Sequence, residues 1–175
     1  MTDPEQLRAS RARLAARALA DRRRFERALH DGVQQDLIAL SVRLQLLDAA
    51  GADELRAELH GALDRVRAVA ADLYPPLLDA RGLVDSLRTL APVESESFGP
   101  EPPRETAAAI YFACRAAVEE GGAAAFRLRR RGAELLVELD GSVELPQHAR
   151  DLAEAAGGSV SADGTRTTVA FPVSS

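Results

Sequence analysis

Between residues 25 and 47 the apolar residues Phe25, Leu29, Val33, Leu37, Leu40, Leu44 and Leu47 recur at steps of four and three. A helix of about 3.6 residues per turn gathers such a set into one stripe of a/d type. The period thins toward the N-terminus through Leu14 and Leu7 to Asp3-Pro4, an N-cap followed by proline at the first helical position. One long helix is therefore predicted over 5–49, broken by DAAGAD at 48–53. A second stripe follows in Leu55, Leu59, Leu63, Val66, Val69 and Leu73, and Tyr74-Pro75-Pro76 ends it. Proline lacks the amide proton a helix interior needs and restricts the residue before it. Two long helices joined by a short loop make an antiparallel hairpin. One hairpin cannot cover both stripes, whereas two hairpins from two chains can, so a homodimeric four-helix bundle is expected.

The rest of the chain has a different texture. GLVDSLRTLA (82–91) is predicted as a short third helix, and PVESESFGPEPPR (92–104) as a linker with little to bury. ETAAAIYFACRAAVEE (105–120) reads as a buried helix stopped by Gly121-Gly122. AAFRLRRR and AELLVELD alternate on either side of Gly132 as two strands of a hairpin. A short helix over 145–158 precedes a second hairpin turning at Asp163-Gly164. The expected fold class is α+β: a helical dimerisation domain over 1–91, a linker over 92–104, and a small α/β sandwich over 105–175.

Composition excludes several activities. All 22 basic residues are arginine, so no lysine is present as a phosphate ligand, Schiff base or general base. The net charge of −5 gives no bulk attraction to nucleic acid. Eight arginines in residues 8–27 have no interleaved aromatic platform and read as a solvated helix face. Cys114 lies in an apolar run and reads as a small core residue. No apolar run of about 18 residues exists to span a membrane, and the first residues lack a signal-peptide core. A soluble, cytoplasmic protein is expected.

His30 and Asp31 stand within the first stripe. At about 100° per residue, His30 lies about 70° from the stripe centre, Gln34 lies about 40° from His30, and Asp31 turns toward solvent. His30 is thus a boundary residue, half exposed. An imidazole titrates near neutral pH, and an adjacent carboxylate can orient the ring and take its proton. His60 lies off its leucine stripe and reads as solvated. His148 near Asp151 has no further ligands in view for a metal.

DRRRFERALHDGVQQDL resembles the phosphoacceptor helix of two-component sensor histidine kinases of the NarL/DesK-like subfamily, whose pattern is roughly E-R-x-R-I-A-R-E-L-H-D-x-x-x-Q-x-L. Arg22, Arg24, Arg27, Leu29, His30, Asp31, Gln35 and Leu37 match, while Asp21, Phe25, Glu26 and Ala28 depart from it. ADLYPPLLDARGLVDSLRTLA resembles the segment after that family's second helix, and the two matches cover residues 21–91 in the right order. The resemblance implies that His30 accepts a phosphoryl group, that Asp31 is its base and orienting group, and that Gln35 positions water when a response regulator is dephosphorylated.

In that family an ATP-binding GHKL domain follows. IYFACRAAVEE and AAGGSVSADGTRTTVAFP resemble its skeleton through Gly157-Gly158, Gly164-Thr165 and Pro172. The family's chemical residues are replaced. The Mg²⁺-holding Asn falls on Glu120, the preceding Glu on Ala116, and the adenine-binding D-x-G-x-G on Leu139-Asp140-Gly141-Ser142-Val143. The 15 residues between Gly141 and Gly157 contain no glycine-rich lid. The domain is therefore expected to be a degenerate GHKL fold without a bound cofactor or metal. The expected function is histidine phosphotransfer, or response-regulator phosphatase action, through His30, Asp31 and Gln35. The partners would be a receiver domain that brings its own Mg²⁺ and an upstream histidine kinase. A divergent kinase that uses ATP and a non-catalytic dimeric scaffold are the alternatives.

Overall fold

The structure, a computed structural model, describes residues 4–46, 52–96, 100–141 and 143–173. The chain divides into two compact units, Ala20–Pro75 on one hand and the chain up to Leu19 with that from Pro76 onward on the other.

The first unit is a helical hairpin. Helix α1 (Pro4–Ala28) enters it and continues through a π-helical turn (Leu29–Gln34) into α2 (Gln35–Gln45); α3 (Ala52–Leu73) packs against the π turn and α2. Leu47 and most of the predicted break at 48–53 lie outside the described residues. Leu59, Leu63, Val66, Ala70 and Leu73 form the inward row of α3, while Leu55 and Val69, members of the same predicted stripe, are exposed. Arg56 Nη2 donates to the Leu44 carbonyl at 3.1 Å, fastening the start of α3 to the end of α2. At the other end the Arg23 guanidinium stands 5.5 Å from the centroid of the buried Tyr74 ring, a cation–π contact.

The second unit is a mixed sheet with helices. Strands β1 (Val93–Ser95), β2 (Phe126–Arg131), β3 (Glu134–Asp140), β4 (Ser159–Ala162) and β5 (Arg166–Pro172) lie in the order β1-β2-β3-β5-β4. β1 is parallel to β2 and all other pairs are antiparallel. Period-two alternation sets the register, pairing Phe126 with Leu139, Leu128 with Val137 and Leu135 with Phe171 on one buried face. The opposite face carries Arg127, Arg129, Glu138 and Arg166. There Glu138 is buried, held by Arg129 and by Arg166 at 3.2 Å. Helix α5 (Arg104–Glu119) is buried along most of its length and α6 (Gln147–Ala155) packs on it. The small side chains Ala109, Ala117, Ala149 and Ala153, all fully buried, suit close helix packing. The α+β class and both predicted hairpins are present.

Two segments differ from expectation. The third helix does not begin at Gly82: α4 spans Pro76–Leu87 and is broken within at Gly82 (φ 83°, ψ −174°). Pro76 both stops α3 and opens α4, because a helix tolerates proline in its first turn. The expected linker contains β1, whose three residues are too few to show a period. Pairing with β2 and an ion pair from Arg127 to Glu94 at 2.7 Å hold it in the sheet. The second half of α4 is capped from a distance, since Glu101 Oε2 accepts the Leu83 amide at 3.1 Å.

Gly82 has a positive φ, and a Cβ there would stand 2.5 Å from Glu101 Oε1. Gly82→Ala is expected to lower stability by about 1–3 kcal/mol through backbone strain and displacement of the cap. Urea melts check this; a change within 0.5 kcal/mol, the ordinary range for surface substitutions, would show that the Glu101 cap contributes nothing.

Candidate functional site

The π turn carries the candidate residues. Leu29–Gln34 reads LHDGVQ, and the flanking Ala28 (φ −63°, ψ −36°) and Gln35 (φ −66°, ψ −40°) are ordinary helix. The turn is thus a local widening inside one continuous helix. Gly32 sits at its centre, where helix propensity is lowest apart from proline. Such π-bulges are frequent at functional sites.

The widening changes which residues face α3. The inward row runs Leu29, Gln34, Leu37, Ser41, Leu44, with a step of five across the turn. Gln34 is 8% exposed whereas Val33 is 43% exposed. Phe25 and Leu40 are also exposed. The single stripe read at 3.6 residues per turn is therefore split. Leu29, Leu37 and Leu44 face inward, while Phe25, Val33 and Leu40 form an outward apolar row.

His30 and Asp31 meet at the surface of this turn. His30 Nδ1 and Asp31 Oδ1 are 3.1 Å apart, with side chains 61% and 70% exposed. A carboxylate only accepts hydrogen bonds, so in a neutral ring Nδ1 holds the proton and Nε2 carries the lone pair. The arrangement is a nucleophilic nitrogen opening to solvent, with an oriented ring behind it. Gln35, the first residue of α2, is exposed and makes no hydrogen bond to His30 or Asp31. Gln34 was placed on the His30 side by the helical wheel and is instead turned inward.

The residues aligned with a nucleotide site are dispersed. Glu120 Oε1 pairs with His148 Nε2 at 3.4 Å, joining the end of α5 to α6. Asp140 is exposed at the end of β3, and Gly141 (φ 98°) starts the turn after it; Ser142 lies outside the described residues. Val143 and Leu145 are buried, and the buried Thr167 hydroxyl donates to the Val143 carbonyl at 2.6 Å. A Cβ on Gly121 would lie 2.8 Å from Val143 Cγ1, so this segment fits closely under the end of α5. Gly164 (φ 89°) lies in the β4–β5 turn, where Asp163 Oδ1 accepts from the amides of Thr165 at 3.1 Å and Arg166 at 2.8 Å. Those bonds hold the Asp163 carboxyl below its ordinary range.

The arginines of β2 are engaged rather than gathered. Arg127 pairs with Glu94, Arg129 with Glu138 and Arg131 with Glu134. His60 Nδ1 donates to the Arg56 carbonyl at 2.7 Å. Cys114 is buried, and burial pushes its thiol well above the ordinary range. Among the described residues no group of His, Cys, Asp and Glu could hold a metal ion, and no helix is long and apolar enough to cross a membrane. Val143, Leu145 and Thr167 escaped the sequence reading, because a buried segment this short has no period. Leu145→Ala is expected to cost about 2–5 kcal/mol, as for other fully buried leucines. A denaturant midpoint unchanged from the parent would mean that Leu145 fills no space.

Comparison with known proteins places this geometry. Residues 21–91 match the family model described as histidine kinase. No curated protein matches the chain. Solved structures that it resembles include the blue-light activated histidine kinase of Erythrobacter litoralis EL346, with TM-score 0.44 and 14% identity over 79% of this chain and 63% of that one. A bacterial phosphotransferase structure matches with TM-score 0.38 and 16% identity, over 89% of this chain and 94% of the other. The chain spans 63% of the length of the Erythrobacter kinase.

Proposed function

With residues 21–91 belonging to the histidine kinase family, we propose that the chain is a histidine phosphotransfer protein of a two-component pathway, with His30 as the acceptor. The observation that carries this is the 3.1 Å contact of Asp31 with His30 Nδ1 on an exposed helical turn. Nε2 attacks the phosphorus of an aspartyl phosphate on a receiver domain. The P–N bond forms as the P–O bond to the receiver carboxylate breaks. Asp31 stabilises the positive charge that develops on the ring and accepts a share of the Nδ1 proton. The Mg²⁺ of such a step belongs to the receiver. Transfer is reversible in principle, so an upstream histidine kinase fits the same site through its own receiver. Phosphatase action on the regulator, with Gln35 exposed beside the acceptor turn, belongs to the same reading.

The outward row of Phe25, Val33 and Leu40, together with the exposed Leu55 and Val69, supports pairing of two hairpins as a homodimer. The C-terminal unit is read as a degenerate GHKL domain. Phosphoryl transfer from ATP is mostly positioning and charge neutralisation. Here Glu120 is tied to His148, the β2 arginines are engaged by carboxylates, and Val143 and Leu145 are buried beside Gly121. Those observations favour phosphotransfer over the alternative of a divergent ATP-dependent kinase.

His30→Asn is expected to abolish labelling by a phosphorylated receiver, and Asp31→Asn to slow it about 10²–10⁴-fold, the usual range for a positioned general base. Normal pathway output from His30→Asn would instead indicate a dimeric scaffold. Millimolar Mg-ATP is expected to leave the melting temperature unchanged. A saturable rise in melting temperature, with label appearing from ATP alone, would establish the kinase reading.

A further inference from the structure

Val33 and Gln34 each occupy the environment that suits the other. Val33 is an apolar residue facing out; Gln34 is buried on the inward row with no hydrogen-bond partner for its carboxamide among the described residues. A buried amide without a partner is unfavourable, and an exposed valine forgoes burial. The sequence itself is written for a different register. Leu29, Val33, Leu37, Leu40 and Leu44 have α-helical spacing, which puts Val33 inward and Gln34 outward. The conflict is confined to the one turn that departs from α-helical geometry, and that turn contains Gly32. Around Gly32 a Cβ would meet nothing within 4 Å, so no packing holds the glycine in place. The flanking backbone is helical on both sides, so the change of register requires no break in the helix.

We infer that residues 29–34 are a two-register element, π-helical in this structure and α-helical in a second state, which exchanges Gln34 for Val33 on the buried face. In the α register residues four apart are surface neighbours. Gln34 then stands beside His30 and offers a carboxamide to the ring or to whatever the ring carries. In the π register His30 has Asp31 alone. The element thus sets whether the acceptor has one polar neighbour or two. This consequence rests on the reading of His30 as acceptor; the exchange of registers rests only on the burial of Val33 and Gln34. Helix register shifts of this kind fall on the μs–ms timescale.

Relaxation-dispersion NMR on the full chain tests it with two opposed variants. Gly32→Ala favours the α register by helix propensity, a shift of roughly fivefold in population. Gln34→Leu favours the π register by placing an apolar side chain at the buried position. The wild type is expected to show μs–ms exchange confined to the amides of residues 29–35. Each variant should reduce that exchange, and their chemical shifts should move in opposite directions along one line through the wild-type values. A wild type without exchange in this turn overturns the inference, as do variants that shift only their immediate neighbours. The failure of the functional reading is separable. Collinear shifts in a chain whose His30 never takes phosphate would leave the two-register element standing and remove its role at an acceptor.

Discussion

A helix of constant pitch presents one apolar stripe, and the first helix of this protein has two surfaces to satisfy. Its inward row must meet α3, and its outward row of Phe25, Val33 and Leu40 is left for a second surface. The widened turn at Leu29–Gln34 is where the two requirements are reconciled, because it shifts the inward row from Leu29 to Gln34 before the α-helical spacing resumes. His30 and Asp31 sit on that turn. A rigid scaffold on either side, fastened by Arg56 to Leu44 and by Arg23 over Tyr74, holds the histidine ring ready. The chemistry asked of it is then slight: one oriented ring, one carboxylate, and access.

The second unit is held together by different means. Its sheet buries one face by strict alternation and neutralises the other by charge, with Glu138 between Arg129 and Arg166 at the centre. Arginines that could have formed a phosphate site are consumed in this lattice. The turn after β3 buries Val143 and Leu145 near the glycines that end α5. These interactions stabilise a domain while leaving no group of residues arranged to gather a triphosphate.

Most of the architecture was legible because it depends on period. The two long helices, the buried α5 and both strand hairpins follow from steps of three and four or of two. Glycines at 132 and 164, both with positive φ, mark the hairpin turns. The features that were not legible depend on tertiary geometry. Gly82 reads as a helix start and is instead a break within α4, held by a carboxylate 18 residues away in sequence. β1 is three residues long and owes its place to β2. The π turn was invisible because the wheel assumes one pitch, and so Gln34 was placed on the wrong face. His30 and Asp31 were legible as a pair, since adjacent residues meet whichever pitch the helix takes; the separation of Gln35 from them was not.

The account turns on one atom. If the Asp31 carboxylate fixes the Nδ1 proton, the phosphoryl group must go to Nε2. The most direct measurement is ³¹P–¹⁵N NMR of the full chain, with ring-labelled histidine, after transfer from a phosphorylated receiver domain. The account predicts a single phosphoramidate on Nε2 of His30. Phosphate on Nδ1, or on no histidine at all, would contradict it.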